Sequence, residues 1–209
     1  IVDISGHIAT ITLNRPDAMN SFTRKMMDEC EHAWRHIAET DDIHCAVLRA
    51  APGRAFSTGV DVKAAMQPGG SVMHDNIWTA EDPGEKLGPK SNRCWKPVIC
   101  AVHGMAAGGA FYWINESDIV ICSEDATFFD PHVTYGMTAA LEPIGATYRM
   151  PLGDVLRMAL LGNDERISAH TALRLGLVTE VTPNETLWDR AQALAEIVAA
   201  KPPAATAGT

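Results

Sequence analysis

The feature that most constrains the fold is a continuous apolar run, Val98-Ile99-Cys100-Ala101-Val102, which leads through His103-Gly104-Met105-Ala106-Ala107 to the glycine pair Gly108-Gly109. A strand that is apolar at every position has no face to offer water, so it belongs inside a sheet covered on both sides. Parallel sheets meet that condition because their crossover helices lie on the two faces. The glycine pair then permits a tight backbone turn into a helix, expected to run to about Glu116. A second apolar run, Ile119–Cys122, follows as the next buried strand. Short strands alternating with helices predict an α/β protein with parallel pairing.

The flanking sequence fits that class. Ala9–Leu13 alternates apolar residues with Thr, as a half-buried strand does, and Asn14-Arg15-Pro16-Asp17 ends it. Phe22, Met26, Met27, Cys30, Ala33, Trp34 and Ile37 recur at helical spacing, with Ser21 or Thr23 available as N-cap. Cys45–Leu48 predicts another buried strand. Residues 64–92, broken by Gly69-Gly70, Asp82-Pro83-Gly84 and Gly88-Pro89, predict a loop-rich excursion with short helices. The last third is mostly helical. Val155–Leu161 follows Asp154 as cap, Ser168–Leu175 ends at Gly176, and Leu187, Trp188, Ala191, Leu194, Ala195 and Val198 form one stripe closed by Pro202-Pro203. Beyond it the tail carries no pattern.

Composition narrows the function classes. With 17 basic and 26 acidic side chains the net charge is −9, which argues against non-specific nucleic-acid binding and against adhesion to an anionic membrane. No apolar run approaches the ~18 residues of a membrane span, and no signal peptide is evident. Cys30, Cys45, Cys94, Cys100 and Cys122 are scattered and odd in number, as in a cytoplasmic protein with reduced thiols. His32 and His36 have the spacing of two zinc ligands but no third nearby, so they are expected on a solvated helix face, and no metal site is expected. A GxGxxG fingerprint is also absent, which speaks against a redox dinucleotide.

Two glycine turns point to chemistry. One is Phe56-Ser57-Thr58-Gly59-Val60-Asp61-Val62-Lys63 and the other is Gly108-Gly109. Glycine lets backbone N–H groups approach a ligand oxygen closely, and a pair of them can stabilise charge developing on a carbonyl. Each turn alone is also what any tight connection in an α/β fold would use.

Taken in order, four segments resemble the enoyl-CoA hydratase/isomerase (crotonase) superfamily over nearly the whole chain. ITLNRPDAMNSF (11–22) resembles its N-R-P-x-x-x-N entry, and RAFSTGVDVK (54–63) its F-(S/C)-x-G-x-D-(I/L/V)-K loop. KPVICAVHGMAAGGAFYWINESDIVICSEDATF (96–128) resembles its strand–glycine–helix core, and ERISAHTALRLGLVTEVTP (165–183) a later helix and strand. The resemblance implies a spiral of ββα units over residues 1–150, followed by a helical trimerisation region over 151–209. It implies an acyl-CoA substrate, with coenzyme A as part of the substrate and no other cofactor, in a homotrimer or dimer of trimers. The thioester oxygen would sit between the N–H of Val60, after Gly59, and the N–H of Gly109, after Gly108. Ser57 belongs to the same loop, Asp61 would brace it, and Lys63 and the Asp17-Ala18 turn fall where relatives contact the nucleotide half of CoA. Crotonase-type chains continue into further helices, so the 209 residues are expected to belong to a longer, trimer-forming chain.

The departures bear on mechanism. Hydratases of this family place one Glu three residues after the second oxyanion glycine, where this chain has Tyr112, and another in a Pro-Glu dipeptide, where it has Pro131-His132. Histidine is a natural base near neutral pH, whereas a phenol serves better as donor or acid. Glu142, in AALEPIG, is a candidate to fold back over the acyl pocket and supply a carboxylate. Tyr112 has a bland alternative as pocket lining and Glu142 as a surface or interface carboxylate, whereas His132, after Asp130-Pro131 and at the position of a catalytic Glu, is favoured as functional. His103 is expected to make a structural hydrogen bond. Three functions remain open: an enolate-stabilising hydratase/isomerase; a His-assisted acyl-CoA hydrolase, isomerase or C–C-cleaving enzyme; and a non-catalytic acyl-CoA-binding protein.

Overall fold

A computed structural model describes residues 1–72, 78 and 82–209. The first half runs β1 (Val2–Ser5), β2 (Ile8–Leu13), α1 (Arg24–Glu39), β3 (Cys45–Ala50), β4 (Ala55–Ser57), α2 (Val62–Ala65) and α3 (Gly84–Leu87). There follow β5 (Val98–Val102), β6 (Met105–Ala107), α4 (Ala110–Glu116), β7 (Ile119–Ser123), β8 (Thr127–Phe129), α5 (Leu141–Ala146) and α6 (Leu152–Leu161). The chain ends with β9 (Ile167–Ser168), α7 (Ala169–Leu175), β10 (Glu180–Thr182), α8 (Leu187–Ala199) and α9 (Pro203–Ala207).

Among the described residues these strands form two sheets. The larger has the order β1-β2-β3-β5-β7-β10 and is parallel except for the β1/β2 pair. The smaller has the order β4-β6-β8-β9, parallel except for β8/β9. Each turn of the chain thus lays one strand in the large sheet and the next in the small one: β3 then β4, β5 then β6, β7 then β8. The period of two along each strand explains why β5 is apolar throughout. Val98, Cys100 and Val102 enter the main core, whereas Ile99 and Ala101 face a second cluster with Leu187, Ala191 and Ala195 of α8.

Helix α1 buries Met26, Met27, Cys30, Ala33, Trp34 and Ile37, the stripe read from the sequence, and Thr23 caps it by accepting from the Met26 N–H. Trp34 is wholly buried and donates from its indole to the Leu87 carbonyl at 2.7 Å, tying α1 to α3. Ser168 likewise caps α7, and Gly176 ends it in the left-handed conformation. Some local expectations are corrected. Helix α6 begins at Leu152 after Pro151, so Asp154 lies in its first turn rather than capping it; a carboxylate suits the positive end of a helix in either place. Pro203 does not merely end a helix but opens α9, since proline is well tolerated at a first turn. The three-residue strands β4, β6 and β8 add elements that no periodicity announced. Within 64–92, α2 and α3 flank residues 73–77 and 79–81, where expectations fall outside the described residues.

Candidate active site

The smaller sheet brings the chemistry together. In parallel register Ala55 pairs with Met105, Ser57 with Ala106, and Ala107 with Phe129. The segments leaving β4, β6 and β8 therefore emerge side by side: Gly59-Val60, Gly108-Gly109 and Asp130-Pro131-His132. Carboxyl ends of parallel strands are the usual place for ligands in open α/β sheets.

Gly59 has φ +80°, and a methyl group there would stand 3.0 Å from the Gly109 nitrogen and 3.2 Å from the Ala107 oxygen. The two glycine turns are thus in direct contact. Phe22 anchors the first, donating from its N–H to the Gly59 oxygen at 2.8 Å and accepting from the Asp61 N–H at 2.9 Å. The Val60 and Gly109 amides are not consumed by any turn or loop hydrogen bond among the described residues. Trp113 of α4 meets both Phe22 and Phe56 edge-on, at ring separations of 5.8 and 6.2 Å. Such pairs contribute about 0.5–1.5 kcal/mol each beyond area burial, and here they lock the two turns to a common core.

His132 lies on the other side of the second turn. Gly108, at φ +51°, donates its N–H to the Phe129 oxygen at 3.2 Å, and a methyl group on it would approach His132 Cε1 to 3.6 Å. The imidazole Nδ1 is 2.5 Å from Asp130 Oδ1, and Nε2 is 3.6 Å from Glu142 Oε1. Tyr112 donates from its hydroxyl to Asp82 Oδ2 at 3.2 Å, and the nearby Glu142 charge adds to the field on the phenol. Glu142 thus faces His132, on the side of the ring away from Asp130.

Their titration follows from this packing. The hydrogen bond to Asp130 holds the His132 pKa above its usual 6.5, against the opposing effect of burial. Burial raises Glu142 above the usual carboxylate value, although its own backbone N–H and His132 pull it back. Burial, then Glu142 and Asp82, push the Tyr112 phenol up, so it keeps its proton and serves as donor.

The remaining expected residues form the frame. Ser57 is buried, donates to the Asn20 oxygen at 2.8 Å and accepts from the Gly59 N–H at 3.2 Å. Asp61 caps α2 by accepting from the Ala64 N–H at 3.0 Å and pairs with Arg15 at 2.9 Å. The bond from Ala64, then Arg15, holds its carboxyl below the usual range. Lys63 is exposed on α2, and half-buried Ala18 ends the short Pro16–Ala18 turn, beside which the Thr58 N–H donates to the Met19 oxygen. Asp130 and Asp82 were missed. The first precedes a proline, as ordinary turn acids do, and the second lies in a stretch with no periodicity. His103 departs from expectation: its ring nitrogens find no hydrogen-bond partner among the described residues, and its ring packs edge-on against Trp188. His32 and His36 are exposed on α1, and no group of three metal-ligating side chains occurs among the described residues. No described helix is long and apolar enough to cross a membrane.

Two sheets whose adjoining strand ends gather backbone turns and acid–base side chains define an α/β enzyme of the crotonase fold. An enoyl-CoA hydratase/isomerase from Mycobacterium paratuberculosis superimposes with a TM-score of 0.90 at 38% identity, covering 100% of this chain and 79% of that one. The chain belongs to the enoyl-CoA hydratase/isomerase family, whose model matches residues 3–208. Relatives include (E)-benzylidenesuccinyl-CoA hydratase of Thauera aromatica, 32% identical over 100% of this chain and 79% of its own length. Another is 1,2-epoxyphenylacetyl-CoA isomerase of Escherichia coli, 32% identical over 93% of this chain and 74% of its own.

Proposed function

We propose that this enzyme generates an acyl-CoA enolate, with the Val60 and Gly109 amides holding the thioester oxygen and His132 carrying the proton. The observation behind this reading is the contact of the Gly59 and Gly109 turns, with His132 Cε1 against the other side of Gly108. A base takes a proton from the α-carbon, and the electron pair moves onto the carbonyl oxygen, where two preorganised amides receive it. Each such donor is worth roughly 10²–10³-fold in rate. Tyr112 donates within the acyl pocket, and Glu142 exchanges protons with His132. Coenzyme A enters as part of the substrate and no further cofactor is invoked. Ser57, Gly59, Asp61 and Gly108 shape the loops, and Ala18 and Lys63 face the nucleotide half.

The approach of His132 Nε2 to Glu142 Oε1 at 3.6 Å favours isomerisation over hydration within this family. Two groups hydrogen-bonding one water at its near-tetrahedral angle would stand about 4.5 Å apart, given bonds of ~2.8 Å. A closer pair relays a proton from one carbon to another. The chain is further proposed to form trimers through the exposed apolar faces of α5 and α6.

The test compares vinylacetyl-CoA isomerisation with crotonyl-CoA and cinnamoyl-CoA hydration, the aryl substrate chosen because both relatives above are named for aryl-bearing acyl groups. Replacing His132 with Ala is expected to lower kcat about 10²–10⁴-fold. Full turnover by that variant overturns the reading. Tight binding of all three thioesters with no product by mass spectrometry would instead leave an acyl-CoA-binding protein.

A further inference from the structure

Asp130 is wholly buried, on the segment leaving β8. Its Oδ1 accepts from the His132 backbone N–H at 3.0 Å and lies 2.5 Å from the ring Nδ1 of the same residue. The ring therefore cannot rotate about its Cβ–Cγ bond without losing a charge-assisted bond inside the protein, where such bonds are strongest. A neutral imidazole has one N–H and one lone pair, so a carboxylate at Nδ1 places the proton there and leaves the lone pair on Nε2. The opposite tautomer would point the Nδ1 lone pair at a carboxylate. Asp130 Oδ2 has no hydrogen-bond partner among the described residues, so no other donor diverts its charge from His132.

We propose that Asp130 is a positioning residue for His132, fixing the Nδ1–H tautomer so that Nε2 takes and returns the substrate proton. Asp130 touches no substrate. The α-proton passes to Nε2, its electron pair moves to the thioester oxygen, and the imidazolium so formed returns the proton as the carbonyl reforms. The Asp130 carboxylate at Nδ1 stabilises the imidazolium. The charged groups facing His132 are Asp130, Glu142 and Asp82, all acidic. The inference rests on His132 being the proton carrier, as proposed above.

Two measurements test it. In the unsubstituted protein, ¹⁵N spectra of the imidazoles should show His132 protonated at Nδ1 and bare at Nε2 above its titration midpoint. This readout does not depend on any variant folding. In Asp130→Asn the midpoint should fall, because the largest influence raising it is gone. The acid limb of the vinylacetyl-CoA rate should shift to lower pH in step. The variant's kcat should drop up to about 10⁴-fold with KM nearly unchanged, by analogy with loss of the orienting carboxylate in serine proteases. A merely structural role would lower the rate without moving the limb. An Nε2–H tautomer in the unsubstituted protein, or an unmoved midpoint in Asp130→Asn, overturns the inference. If His132→Ala loses turnover while the Asp130→Asn midpoint stays put, this inference alone fails; if His132→Ala keeps full turnover, the proposed function fails first and this falls with it.

Discussion

At the scale of single residues, Gly59 carries more of the site than its size suggests. Its φ of +80° is one that side chains rarely adopt, and any Cβ would press on the Gly109 nitrogen and the Ala107 oxygen at 3.0 and 3.2 Å. Gly59→Ala should therefore push the two amides apart while leaving the distant core untouched. The expected result is a kcat lower by about 10²–10³-fold, the magnitude of losing one oxyanion donor, with the circular-dichroism spectrum unchanged. Near-normal turnover would show that the Val60 and Gly109 amides do not share a substrate oxygen. The glycines were legible because few residue types tolerate such a turn. Asp130 was not singled out, because an acid before proline is an ordinary turn residue until its partner's ring is seen to face it.

At the scale of elements, the first glycine turn depends on a one-turn helix that cannot be stable alone. Helix α2 spans Val62–Ala65, far below the length at which helices hold themselves together in water. Asp61 fastens it, accepting from Ala64 and pairing with Arg15, whose guanidinium also donates to the Ser21 carbonyl. Asp61→Ala should cost roughly 1 kcal/mol as a lost cap and lower the melting temperature by a few degrees. The sign with pH follows from the depressed carboxyl: its stabilisation is present above the unfolded-state pKa and fades as pH falls through the lower folded value. The difference in melting temperature between the two proteins should therefore narrow as thermal scans move to more acidic buffer. A constant difference would mean that Asp61 acts through packing alone. The same shortness made these elements hard to foresee. Strands β4, β6 and β8 have three residues each, too few to show a period, whereas β5 and α1 announced themselves over five and sixteen.

At the scale of the whole molecule, the apolar surface of α5 and α6 remains to be accounted for. Leu141 and Ile144 on α5, Tyr148 beyond it, and Leu152, Leu156 and Leu160 on α6 are all exposed, Tyr148 by 90% and Leu160 by 70%. The last three recur every fourth residue, so they share one face of α6. A contiguous apolar face of this kind marks an interaction surface, and closed symmetric assembly of identical chains is the commonest way to cover one. Helix α5 links that face to the chemistry. Glu142 points inward to His132 and Tyr112 at 5% exposure, while its neighbour Leu141 points out. Covering the outer face would therefore hold the helix that carries the carboxylate. Substituting both Leu156 and Leu160 with Asp places two charges in the middle of the proposed interface and should weaken it by more than about 2 kcal/mol per site. Sedimentation velocity should then report single 22.5 kDa chains, against three for the unsubstituted protein if the proposed interface forms. Turnover should fall with dissociation. An unsubstituted protein that sediments as single chains, or a double variant that still sediments as three, would remove this face from the account of assembly. A dissociated variant with full turnover would show instead that α5 holds Glu142 in place without a neighbour.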